Sequence, residues 1–307
     1  MNQMKLSSKY NHSNSLLLLI LCIGINKFLW AAPITFNTAL PVAKKEFIFR
    51  QQFVINQSGP DASESDRDRT AWSAVSVLGY GISRKLALFG VLPYVNKSLD
   101  ITVSGRRFNR QSDGLGDVSL FGRYTAYQKD WPGRTMRITP FAGFKAPTGE
   151  NDANDNLGRM PFSVQSGSGS WDAFGGIVTS YQTLDYEIDG QISYRGNGTS
   201  NGFSAGDQLR FDSSLQYRLW PKTLTSDSSG FLYGVLESNI LFRQKNSIYS
   251  QSDYNSGGTQ WFLTPGLQYV TRRFVIETAV QIPVIQQLNG TALENDFTVR
   301  TGFRFNF

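Results

Sequence analysis

The chain has 307 residues, 40% of them hydrophobic, 13% aromatic and 18% charged, with a formal net charge of +6. That length suits one large domain or two small ones. No run of about 18 apolar residues occurs, which disfavours a helical membrane protein.

The first segment reads as a secretion leader. "MNQMKLSSKYNHSNS" carries Lys5 and Lys9 and no acid, "LLLLILCIGI" (Leu16–Ile25) is a short apolar core, and "NKFLWAA" ends in small residues. These are the n-, h- and c-regions of a signal peptide, with cleavage expected near Ala31 or Ala32. Lys27 interrupts the apolar stretch too early for an uncleaved anchor helix, and "LILC" lacks the small residues usual before a lipidated cysteine. Residues 1–32 are therefore assigned to the signal peptide and 33–307 to the mature domain.

Removing the leader takes away Cys22 and His12, the one cysteine and the one histidine of the chain. Disulfides, cysteine nucleophiles, Ser–His triads and His-ligated zinc are then excluded. Lys5, Lys9 and Lys27 go too, so the charge of +6 falls by three to +3. Nucleic-acid binding finds little support in so small a surplus.

Twelve strands are predicted along the rest: about 45–55, 70–80, 84–96, 115–127, 135–146, 170–181, 184–195, 207–219, 231–243, 259–269, 273–284 and 295–307. Several show strict alternation. In "LDYEIDGQISYR", Leu184, Tyr186, Ile188, Ile192 and Tyr194 share one face, while Asp185, Glu187, Asp189 and Arg195 take the other. "QLRFDSSLQYRL" sets Leu209, Phe211, Leu215, Tyr217 and Leu219 against Arg210, Asp212 and Arg218. The last stretch, "FTVRTGFRFNF", places Phe297, Val299, Phe303, Phe305 and Phe307 opposite Arg300 and Arg304. Period two means a strand with two different faces.

A soluble sandwich or barrel would show the same local pattern. Three features favour a membrane barrel. The strands are roughly ten residues long, enough for a tilted strand to cross a bilayer. Tyr and Trp sit at the ends of the apolar faces, as in an interfacial girdle. Long polar connections such as "NQSGPDASESDRDR", "KSLDITVSGRRFNRQSDG" and "PTGENDANDNLGRMPFSVQSGSG" alternate with mostly shorter links such as "GISR", "QKDWPGR", "QT" and "VTRR". The expected fold is an all-β, up-and-down antiparallel transmembrane barrel of about twelve strands. An even strand count leaves both termini in the periplasm, with the last strand closing on the first. No N-terminal plug domain is recognisable, which argues against active uptake of large chelates.

"GLGDVSLFGRY" (Gly114–Tyr124), "PFAGFKAPTGE" (Pro140–Glu150) and "GSGSWD" (Gly167–Asp172), with the terminal strands, carry a family resemblance. Over roughly Gly114 to Phe307 the chain resembles a broad family of bacterial outer-membrane barrels labelled after a meta-cleavage phenol-degradation pathway. The resemblance implies an outer-membrane transporter, with uptake of aromatic compounds in some members. It also implies that Phe307, ending the last strand, serves as the recognition signal for the barrel-assembly machinery. The motifs have a structural reading as well: glycines let strands coil sharply, and Pro147 with Gly149 makes a turn.

If apolar residues face lipid, the polar set faces the lumen, where charges are tolerated. The pore-lining candidates are Arg123, Arg137, Lys145, Asp185, Glu187, Asp189, Arg195, Arg210, Asp212, Arg218, Glu237, Glu277, Arg300 and Arg304, with Arg50, Asp117 and Arg243 of the same set. Opposed acids and bases across a pore set its effective width and ion preference; alternatively they tie neighbouring walls together. The third long loop, about Thr148–Ser170, is the candidate for folding into the bore, because its "MPFSV" is apolar. Its "GENDANDN" portion matches no calcium-loop spacing.

The expected function is passive diffusion of small solutes, aromatic or other small organic compounds, through a charged lumen in the bacterial outer membrane. No cofactor, metal or catalytic residue is expected, and the expected partners are outer-membrane lipid, the assembly machinery and small solutes. The other reading is a surface-exposed structural or adhesion barrel without transport.

Overall fold

Alternating residues line two opposite faces of every wall strand, and the wall closes on itself. The structure, a computed structural model, describes residues 31–59, 61, 63–223 and 229–307. The expected leader lies almost wholly outside these. Twelve antiparallel positions form the wall. They are β1 (Phe47–Ser58), β2 (Asp68–Gly81), β3 (Leu86–Val103), β4, β5 (Arg134–Lys145) and β6 (Asp172–Thr183). There follow β7 (Tyr186–Gly196), β8 (Gln208–Trp220), β9 (Gly230–Arg243), β10 (Gly258–Thr271), β11 (Phe274–Leu288) and β12 (Phe297–Asn306). β4 comes in three pieces, Arg106–Leu115, Ser119–Tyr124 and Tyr127–Trp131.

Closure pairs β12 with β1, with Phe305 opposite Phe49, Arg304 opposite Arg50 and Arg300 opposite Val54. Beyond the strand itself, the Phe307 N–H donates to the Phe47 carbonyl (3.0 Å) and the Phe47 N–H to the Phe307 carbonyl (2.8 Å). Their rings stack at 5.6 Å. The final strand thus has no free edge, which removes the aggregation hazard its sequence suggests.

The molecule is apolar outside and polar inside. Leu88, Leu92, Ile188, Ile192, Leu215, Leu236, Ile276, Ile282 and Phe303 are exposed on the outer face. Trp72, Tyr94, Trp171 and Tyr194 ring that face toward the long loops; Tyr80, Tyr124, Tyr217 and Trp220 ring it at the other end. Gln216, Gln268, Glu187, Glu237 and Glu277 are fully buried on the inner side. Water would reject such an outer surface, and hydrocarbon would reject such an interior if it faced outward. The protein is a closed β-barrel built to span a membrane.

Two expected connections turn out to be strand. "KSLDITVSGRRFNRQSDG" continues β3 to Val103, turns at Ser104 and Gly105, both at positive φ (49° and 76°), and returns as the first piece of β4. Two consecutive positive-φ residues match the twist of a hairpin. Leu99 and Ile101, hidden among polar neighbours, keep the period and face inward onto a loop. Likewise "QKDWPGR" largely extends the β4–β5 hairpin, with Tyr127–Trp131 paired to Arg134–Ile138.

Candidate functional site

The stretch before β1, "AAPITFNTALPVAKKE", is not wall. It carries no charge until Lys44, and its small and apolar side chains fit an enclosed space. Ala31 packs on Val270 and Val275 where β10 meets β11. Ile34 packs deeper, on Val235 and Ala279. Ala39 lies against Phe141 and Val178, and Val42 against Ala87 and Phe89, near the start of β3. The segment therefore enters from the periplasmic mouth, bends near Phe36 and Asn37, and returns to the same mouth. The expectation from sequence concerned a plug domain; what occupies the lumen here is a short segment.

Inside the barrel its backbone has no ladder partner, so inward-facing side chains of the wall satisfy it. The Glu237 carboxylate accepts from the Ile34 N–H (2.6 Å), the Thr35 N–H (3.1 Å) and the Thr35 hydroxyl. Gln268 accepts from the Ala32 N–H (3.2 Å) and donates to the Ala32 carbonyl (2.6 Å). Arg50 and Gln52 donate to the Ile34 carbonyl at 2.9 and 3.0 Å. Arg123 donates to the carbonyls of Thr38 (2.7 Å) and Leu40 (2.6 Å). At the exit the Lys45 N–H donates to Gly81 (2.7 Å). A Cβ on Gly81 would fall 2.0 Å from the Ala43 carbonyl oxygen, so only glycine lets the returning segment lie this close to β2.

The sequence-derived candidates divide by position. Arg123, Lys145, Glu187, Asp189, Asp212, Arg218, Glu237, Glu277 and Arg304 are buried on the inward face, and Arg137, Arg195, Arg210 and Arg300 face inward with partial exposure. Asp185 is placed elsewhere. Its side chain is 64% exposed in the β6–β7 turn, where it pairs with Arg218. The alternation of β7 begins only at Tyr186, past that turn. Arg50 pairs with Glu277 at 2.6 Å, Arg210 with Asp212 at 2.9 Å, and Lys145 with Asp117 (2.9 Å) and Asp172 (2.8 Å).

The third long loop folds inward, but near the extracellular end. Met160 and Val164 bury against Leu99, and Lys97 Nζ donates to the Gln165 carbonyl (2.5 Å). Arg110 clamps Asp155 at 2.7 Å and holds its carboxyl below the usual carboxylate range. Phe162 stacks on Phe203 of the next long loop at 3.9 Å. Another clamp, Arg67 with Asp61 at 2.6 Å, closes the first long loop, and the same contact lowers the Asp61 pKa strongly.

Two cavities among the described residues bear on function. A vestibule of about 870 Å³ lies below the long loops, lined by Arg67, Arg69, Lys97, Phe162, Phe203 and Arg243 among others. Beneath it a pocket of about 320 Å³ has Thr35, Phe36 and Asn37 of the N-terminal segment in its lining, and Gln208 borders both cavities. The two cavities share Gln208, and the smaller one is bounded by the chain's own N-terminal segment.

This geometry agrees with what the chain is similar to. Residues 62–293 match the family described as "Putative MetA-pathway of phenol degradation". The chain belongs to that family. Its matched span starts well before Gly114, so β2 and β3 carry family features too. An outer membrane channel from Pseudomonas putida F1 shares the fold at 13% identity, with a TM-score of 0.60 over 91% of this chain and 100% of that one. The β domain of the Bordetella autotransporter BrkA gives 12% identity and a TM-score of 0.45, covering 86% of this chain and 100% of that chain. The NanC porin gives 13% and 0.42, covering 84% and 98%. No curated protein matches the chain.

Proposed function

We propose that the protein is a passive outer-membrane channel for small solutes, and that residues 31–46 are a plug set in its periplasmic half. The supporting observation is the pair of adjoining cavities above that segment, both lined by several arginines, in a barrel whose inner wall carries Arg, Asp, Glu and Gln. Solutes enter from the vestibule, and passage to the periplasm requires the plug to shift. Lumen carboxylates such as Glu277, Asp117 and Asp172 are neutralised by Arg50 and Lys145, which suits a structural and electrostatic role rather than acid–base catalysis. Membership of the phenol-degradation family and likeness to a solved channel point the same way.

Purified, refolded protein is expected to migrate anomalously on unheated gels and to give discrete conductance steps in planar bilayers. A stable barrel with neither conductance nor solute flux in vesicle-swelling assays would refute the channel. Phe307, exposed to lipid and stacked on Phe47, is expected to act in assembly. Phe307→Ala should lower the yield of folded barrel in outer membranes several-fold while leaving the unit conductance of the folded fraction unchanged. The heat-modifiable band and single-channel recordings check the two halves of that statement.

A further inference from the structure

The lining of the smaller pocket carries two chemically distinct sets of side chains. One is aromatic: Phe36 from the plug, Phe141 from β5 and Phe174 from β6. The other is cationic: Arg50, Arg195 and Arg210 line the pocket, and no Asp or Glu does. The sheet register brings these cations together. Arg195 on β7 stands opposite Gln208 of β8, which stands opposite Arg243 of β9, and Arg210 lies two residues further along the same inward face.

These guanidiniums are unevenly compensated. Arg50 is taken up by Glu277 and by plug carbonyls. Arg210 spends one nitrogen on Asp212, and its Nε is buried with no partner. Arg195 lies over the Phe174 ring at 5.5 Å and forms no ion pair among the described residues, with Asp172 of β6 acting on it only at longer range. The register sets Arg195, Arg210 and Arg243 close together on the inner wall, and like charges so placed repel one another. A partly dehydrated cluster of like charges is costly until an anion enters it.

We propose that this pocket binds a small monocyclic aromatic carboxylate. Its ring lies among Phe36, Phe141 and Phe174, and its carboxylate is held by Arg195 and Arg210. A planar guanidinium matches a carboxylate in two-pronged fashion, and offset or edge-on rings suit the three phenylalanines. The volume of about 320 Å³ is at the small end of ligand pockets, which limits the ligand to about one ring. Because Phe36 belongs to the plug, a bound ligand touches the element that blocks its own path. The inference rests on the channel reading only for how the ligand arrives.

The test is calorimetric titration of the purified full-length barrel with benzoate, benzyl alcohol and acetate. Benzoate should bind in the millimolar range or tighter, and at least tenfold tighter than benzyl alcohol, which lacks the charge, or acetate, which lacks the ring. Arg195→Gln should weaken benzoate tenfold or more and Phe174→Leu by severalfold, whereas Lys245→Gln, in an extracellular loop, should leave it unchanged. Heat-modifiable migration confirms that each variant is folded. If Arg195→Gln does not fold, the three-ligand comparison on the natural protein decides alone. Equal binding of benzoate and benzyl alcohol, or benzoate binding unchanged in folded Arg195→Gln, overturns the proposal. Binding without conductance would remove the channel and leave the site; conductance without binding would do the reverse.

Discussion

The two halves of the lumen solve the problem of a polar interior differently. On the extracellular side, charges face open cavities, and cations such as Arg69, Arg195 and Arg243 have no ion pair among the described residues. On the periplasmic side the same kind of wall is filled. Glu237, Gln268, Arg50 and Arg123 are occupied by the backbone of a threaded segment. The difference shows that a buried charge in a barrel is not by itself a pore residue. Its role depends on whether solvent or chain supplies its partners.

Several experiments sharpen or break that contrast. The largest effect is expected from deleting residues 34–44. With the filling gone, single-channel conductance should rise several-fold, and an unchanged conductance would mean that the segment does not limit the periplasmic half. Next comes Glu237→Gln. Its carboxylate accepts three hydrogen bonds from the plug, and bonds to a charged group contribute about 1.5–3 kcal/mol each. Losing the charge should raise the open fraction about tenfold, since about 1.4 kcal/mol is a factor of ten; dwell-time histograms provide the check.

The smallest effect belongs to the extracellular clamp. Arg110→Ala should free the tip of the third loop and raise its protease sensitivity, while conductance changes by less than twofold. Because the carboxyl of Asp155 is held below its unfolded value, the clamp is intact above the ordinary carboxylate range. It weakens as pH falls below that range, so acid should mimic the mutation. Limited proteolysis at neutral and acidic pH separates the two cases.

Much of the wall was legible beforehand. Period-two runs such as Leu209–Leu219 sort lipid-facing from lumen-facing residues because a pleated strand has no other way to place them. That logic thins at turns and in mixed stretches. Asp185 continues the acidic rhythm of Glu187 and Asp189 in sequence, yet it falls in the turn, where alternation has no meaning. The β3–β4 hairpin reads as loop in the sequence because Leu99 and Ile101 are too few among polar neighbours to announce a strand. The plug carries no period at all. Its one advance sign is an uncharged stretch of small and apolar residues just after the leader, and that alone does not say where the chain goes.

The sequence by itself determined an antiparallel barrel, its two faces and its membrane, because those follow from alternation and length, which are local properties. It took the tertiary structure to show that the N-terminal segment enters the lumen, which arginines lack an ion pair among the described residues, and that Phe36, Phe141 and Phe174 line one pocket. Those facts join residues far apart in the chain, as when Ile34 donates to Glu237 across 203 positions. No local pattern encodes such a contact; it exists only once closure of the wall gives the segment an interior to enter.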